Sequence, residues 1–82
     1  MAEERELGYD LFTYITHVGA LLSPGIALSQ MIEDNKSFVE RYFSTFGIID
    51  WSPYMKAYGK RRIEYETSKG NKVQAEKYKC LI

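Results

Sequence analysis

Between Leu11 and Ile32 the chain runs 22 residues without an Asp, Glu, Lys or Arg, and Ser23-Pro24-Gly25 interrupts that stretch near its middle. An uncharged segment of this length must hide its apolar side chains, and the interruption decides how. A straight helix of this length, rising about 1.5 Å per residue, would be long enough for a hydrocarbon core of about 30 Å. A broken one folds back on itself instead.

Periodicity favours the broken form. From Tyr9 to Leu22 the apolar positions Leu11, Phe12, Ile15, Val18, Gly19 and Leu22 recur at steps of one, three and four, which places them on one helical face. The residue before a proline avoids helical geometry, serine suits an N-cap, and proline suits the first helical turn. A first helix therefore ends near Leu22 and a second starts at Pro24. Leu28, Ile32, Asn35, Val39, Tyr42 and Phe46 then follow at alternating steps of four and three, a packing seam that stops at Gly47. Asn35 within this seam either fixes register or breaks the helix. Ser37 and Glu40 match a capping box, which would instead separate helices over 11–34 and 38–46.

Beyond Gly47, Asp50 or Ser52 is a candidate cap for a short helix from Pro53 to Tyr58, with Gly59 as its stop. Ile63 and Tyr65 then alternate with Arg62, Glu64 and Glu66, as on a strand with one wet face. Ser68-Lys69-Gly70-Asn71 reads as a turn, and Val73 and Ala75 alternate after it, although Val73–Lys79 reads equally as a short helix. The expected fold is mainly α: an N-terminal helical hairpin (about 9–22 and 24–46), a short C-terminal helix and a β-hairpin over about 60–79. A length of 82 residues allows one small domain, 1–82, with a thin core.

Little in the sequence points to catalysis. His17 and Cys80 are the only residues of their kinds, and nothing flanking either one activates it. The carboxylates of Glu3-Glu4 and Glu33-Asp34 are sequence neighbours, which do not face each other on a helix and make poor acid–base pairs. No phosphate-binding glycine motif is present, and one cysteine supplies neither a disulfide nor a thiolate cluster. No enzyme, metal or cofactor is expected. His17 reads as a hydrogen-bonded core or interface residue and Cys80 as a small half-buried side chain.

Two patterns suggest binding. Phe38, Tyr42, Phe43, Phe46, Trp51, Tyr54 and Tyr58 place seven rings within 21 residues. A narrow buried stripe cannot hold them all, so the first six form a candidate partner interface, with the core of a small domain as the competing assignment. Lys60, Arg61 and Arg62, flanked by Tyr58 and Tyr65, form a candidate anion contact. Residues 51–82 carry eight basic against three acidic side chains, whereas Glu3, Glu4, Glu6 and Asp10 make the opening acidic.

These features predict a non-enzymatic interaction module, or a small regulatory or accessory subunit, docking through an aromatic helical face on a protein partner or a second copy. Two alternatives stay open: an accessory subunit of a membrane complex with residues 11–32 in the bilayer, and a small nucleic-acid-binding protein using 60–62. Thr13, Thr16, His17, Ser23, Ser29 and Gln30 weigh against the membrane segment, because a break among polar residues leaves backbone groups unsatisfied in lipid. Nucleic acid is the least favoured partner. The acidic opening resembles neither a secretory nor a transit leader, so an intracellular location is expected, with membrane association as the alternative.

Overall fold

A computed structural model describes residues 7–23 and 25–82. It is mainly α, with no strand among the described residues. The first helix, α1 (Tyr9–Leu22), matches the periodic stretch; Ser23 closes it by donating its backbone N–H to the Gly19 carbonyl at 2.8 Å. The return arm is α2 (Leu28–Asp34), which starts at Leu28 rather than at Pro24, a residue outside the described ones. α1 and α2 pack closely: a Cβ added at Gly19 would stand 2.6 Å from Met31 Sδ.

The expected second helix over 24–46 is broken at Asn35. This residue leaves helical geometry at φ −109° and ψ 21°, and its side-chain Nδ2 donates to the Met31 carbonyl at 2.8 Å. That bond captures a carbonyl at the end of α2, the local competition with the helix ladder that asparagine side chains provide. α3 (Lys36–Ser44) follows at once. Ser37 lies inside α3 and the helix has no side-chain cap, so the Ser37–Glu40 capping box does not form. The packing seam is thereby divided. Leu28 and Ile32 bury with α2 and Val39 with α3, while Asn35 stays exposed. Gly47, at φ +74°, ends the α3 region, and Ile48 N–H reaches back to the Phe43 carbonyl at 3.0 Å.

The C-terminal β-hairpin over 60–79 is not formed, and the short helix expected from Pro53 to Tyr58 does not stop at Gly59. Instead α4 (Ser52–Ser68) runs 17 residues. Asp50 Oδ1 accepts from the Ser52 N–H at 3.1 Å at its start, and Pro53 occupies the first turn. Gly59 sits inside this helix because it is a contact point: an added Cβ would meet Leu81 Cβ at 3.1 Å and the Tyr78 carbonyl at 3.3 Å. The turn at Ser68–Asn71 is present, but it joins helices. Gly70 takes φ +79°, Asn71 N–H bonds the Glu66 carbonyl at 2.8 Å, and α5 (Lys72–Tyr78) folds back on α4 before a 3-10 turn at Lys79–Leu81.

One core joins these elements. Phe12, Ile32, Val39, Phe43, Tyr58 and Leu81 are its most enclosed side chains, drawn from α1, α2, α3, α4 and the terminal 3-10 turn. Aromatic rings dominate it. Phe12 lies 5.5 Å from Tyr58, 5.9 Å from Phe43 and 6.2 Å from Trp51, centroid to centroid, within the range where ring pairs attract beyond simple burial. No helix among the described residues is long and apolar enough to cross a membrane; α1, at 14 residues, extends about 21 Å.

Candidate functional site

The six rings assigned to a partner face divide into two groups. Phe43 has no exposed surface and cannot touch a partner. Its ring stacks 6.3 Å from Trp51 at an interplanar angle of 8° and sits 5.2 Å from Tyr54, and those two half-buried rings pack on the core with it. Phe38 and Phe46 stay open, at 48% and 54% exposure. Tyr42 bridges the groups, half-buried, with its ring 5.2 Å from Phe43 and 5.4 Å from Phe46.

Helical spacing explains the division. Val39 and Phe43, four apart, turn inward, whereas Phe38 and Tyr42 lie one position away at the same step on the adjacent face, and Phe46, in the turn after α3, extends that ridge through its contact with Tyr42. Ile49, in the following loop, is 95% exposed beyond the end of that ridge.

The basic trio does not present one face. On α4, Lys60, Arg61 and Arg62 point about 100° apart, not to one side of a strand. Lys60 and Arg61 are exposed, while Arg62 turns inward and pairs with Glu66, Nη2 to Oε2 at 2.8 Å. Asn71 Nδ2 also donates to that buried carboxylate, at 3.1 Å. The Arg62 guanidinium lies 5.0 Å from the Tyr65 ring centre and 5.2 Å from that of Tyr78, so it is held by aromatic faces as well as by charge. Burial opposes its charge, but hydrogen bonding to Tyr9 and the nearby Tyr78 outweigh this and hold its pKa above the ordinary value. Arg62 Nε is buried and has no hydrogen-bond partner among the described residues.

Arg62 belongs to a feature that sequence reasoning did not find, a cleft of about 610 Å³ between α1, the start of α2, α4 and α5. Its size falls within the range of about 300–1,000 Å³ typical of small-molecule sites. One wall is aliphatic, built by Ala20, Ile26, Leu28 and Met31. α4 and α5 contribute Arg62, Gln74, Lys77 and Tyr78, and no Asp or Glu among the described residues lines the cleft. α1 contributes Thr13, Thr16, His17 and Ala20, at helical steps of three, one and three. A row of small and polar residues beside the bulky Phe12 and Ile15 face was the available signal, but it does not reveal what stands opposite.

Most hydroxyl hydrogens in the cleft are already engaged. Thr13 Oγ1 donates to the Tyr9 carbonyl at 2.8 Å and Thr16 Oγ1 to the Phe12 carbonyl at 2.9 Å. With the Thr16 proton so placed, the Tyr58 hydroxyl donates to Thr16 Oγ1 across 3.2 Å. Burial pushes the Tyr58 phenol up to about 12, against the partial relief given by Thr16. Cys80 is exposed rather than half-buried, and its thiol donates to the Lys77 carbonyl at 3.3 Å. His17 is exposed at the cleft's edge rather than in the core. Among the described residues no three His, Cys, Asp or Glu side chains gather as metal ligands would.

Comparison with known proteins gives no matching family model, no matching curated protein and no matching solved structure.

Proposed function

We propose that this protein is a non-enzymatic interaction module that receives a short apolar-faced helix of a partner protein along the α3 ridge. The observation carrying this reading is that Phe38 on α3 and Phe46 in the turn after it remain at the surface, with half-buried Tyr42 between them, although Val39 and Phe43 already anchor the helix. Aromatic side chains held rigidly at a surface are the usual anchors of protein recognition. Residues at steps of four form the ridge that packs into the groove of another helix.

The size of the patch selects the occupant. Covering three partly exposed rings and Ile49 removes roughly 400 Å². A stable interface between two globular chains removes about 800 Å² from each. The ridge is therefore matched to a peptide helix rather than to a second whole copy. Lys36, Glu40 and Arg41 supply both signs of charge on α3, which gives a polar rim without excluding partners of either sign.

A photo-crosslinking residue at Phe38, in the cell the protein comes from, would identify the partner segment. That segment, made as a peptide, should bind the purified protein with micromolar affinity. The F38A/F46A pair should weaken binding at least about tenfold, whereas Val73→Ala on α5 should leave it unchanged. Equal binding by both variants would refute the ridge as the docking face, as would crosslinking only between copies of this chain.

A further inference from the structure

We infer that the cleft between α1 and α5 binds a small anionic amphiphile, a medium-chain carboxylate, with its head at Lys77 and Arg62 and its tail along Ala20, Ile26 and Met31. No side chain of α3 lines the cleft, so this site is separate from the ridge proposed for protein docking.

The chemistry of the lining selects both ends of the ligand. The hydroxyls of Thr13, Thr16 and Tyr58 spend their hydrogens on backbone carbonyls or on one another. The charged donors at the wall are the cations. Arg62 is balanced by Glu66 behind it, but Lys77 has no acidic partner among the described residues. One uncompensated cation beside a balanced one suits a monoanion and falls short of what a polyphosphate requires. The aliphatic part of the same lining, which includes a methionine, accepts a flexible chain, because the thioether side chain adapts its shape at little cost. A concave site with apolar lining and a few polar groups is the general form of a small-molecule pocket.

The test is titration of the isotope-labelled full chain with three ligands of the same tail, decanoate, decanol and decyltrimethylammonium, below their micelle concentrations and followed by amide chemical shifts. Decanoate should give saturable shifts confined to the cleft-lining parts of α1, α2, α4 and α5 and of the loop before α2. The neutral and cationic ligands should bind at least about tenfold more weakly. Lys77 and Ala20 are exposed, so their variants keep the fold, which circular dichroism verifies. K77E should weaken decanoate at least about tenfold, and A20W should abolish binding by filling the cleft. F38A/F46A should bind decanoate normally, which separates failure here from failure of the docking face. Equal binding of all three ligands, undiminished binding by A20W, or the absence of saturable shifts would overturn the assignment.

Discussion

The hydroxyls of Thr16 and Tyr58 meet at 3.2 Å across 42 residues of sequence, tying the middle of α1 to the middle of α4 inside the core. Tyr58 is 1% exposed, and its burial holds the phenolic proton with a pKa near 12. The folded state therefore binds this proton more tightly than the unfolded chain, whose tyrosines titrate near 10. The associated stability is complete below pH 10 and is lost as pH rises from there toward 12, by roughly 2–3 kcal/mol. Urea unfolding across that window should show the loss in the wild type and a shallower slope in Tyr58→Phe. At neutral pH the same variant should cost about 1 kcal/mol for the hydrogen bond. Parallel slopes for the two proteins would contradict the assignment.

Phe43 and Phe46, three residues apart, should respond very differently to truncation. Phe43 is fully enclosed, so Phe43→Ala opens a cavity and costs about 3–5 kcal/mol, enough to unfold much of a domain this small. Phe46 is more than half exposed, and Phe46→Ala should cost about 1 kcal/mol or less. Thermal and urea melts followed by circular dichroism measure both. Similar losses would mean that the ridge is part of the core.

Gly8 should be the least replaceable of the glycines with positive φ. It precedes α1 at φ +89°, and an added Cβ would lie 2.6 Å from Phe43 Cζ. Gly8→Ala therefore combines left-handed strain with a clash against a ring that cannot withdraw, for about 3 kcal/mol. Gly25→Ala meets nothing within 4 Å and should show only the backbone component, about 1 kcal/mol. The difference between the two melts isolates the contact with Phe43.

The Arg62–Glu66 pair should matter far more than the exposed Lys79–Glu76 pair. Glu66 is buried and accepts from both Arg62 and Asn71, so Glu66→Ala removes a carboxylate on which two donors converge and leaves a largely buried guanidinium unbalanced. A loss of about 2 kcal/mol is expected, discounted from the fully buried case because part of Arg62 reaches solvent. Lys79–Glu76 is exposed on both sides, and Glu76→Ala should change stability by under about 0.5 kcal/mol. Adding salt should not alter this order, because solvent screens the outer pair first.

Local pattern was enough for α1. Leu11, Phe12 and Ile15 announce a helix with one apolar face, and the break at Ser23–Gly25 limits its length. The stop at Gly47 and a turn at Gly70 were legible for the same reason, since each needs a backbone conformation that few other residues accept, although the turn at Gly70 joins helices and not the expected strands. Asn35 was legible as an alternative only: seam and break are both local options, and its bond to the Met31 carbonyl settles the choice.

The C-terminal half depended on contacts the sequence does not display. Ile63, Tyr65 and their charged neighbours alternate over too few residues to separate a strand from a helix, and Gly59 resembles a stop until Tyr78 and Leu81 are seen packed against it. A glycine that ends a helix and one that admits a neighbouring backbone look identical in sequence, because the distinction lies in residues about 20 positions away. The inward turn of Arg62 and the separation of Phe43 from Phe38 were hidden for the same reason. The sequence by itself determined which stretches are apolar, that the backbone turns at Gly47 and Gly70 and that α1 is helical, because those follow from side chains within a turn or two of one another. Only the tertiary structure decided which rings are core, which cation is buried and that a cleft opens between α1 and α5, because burial depends on what the rest of the chain places opposite each face.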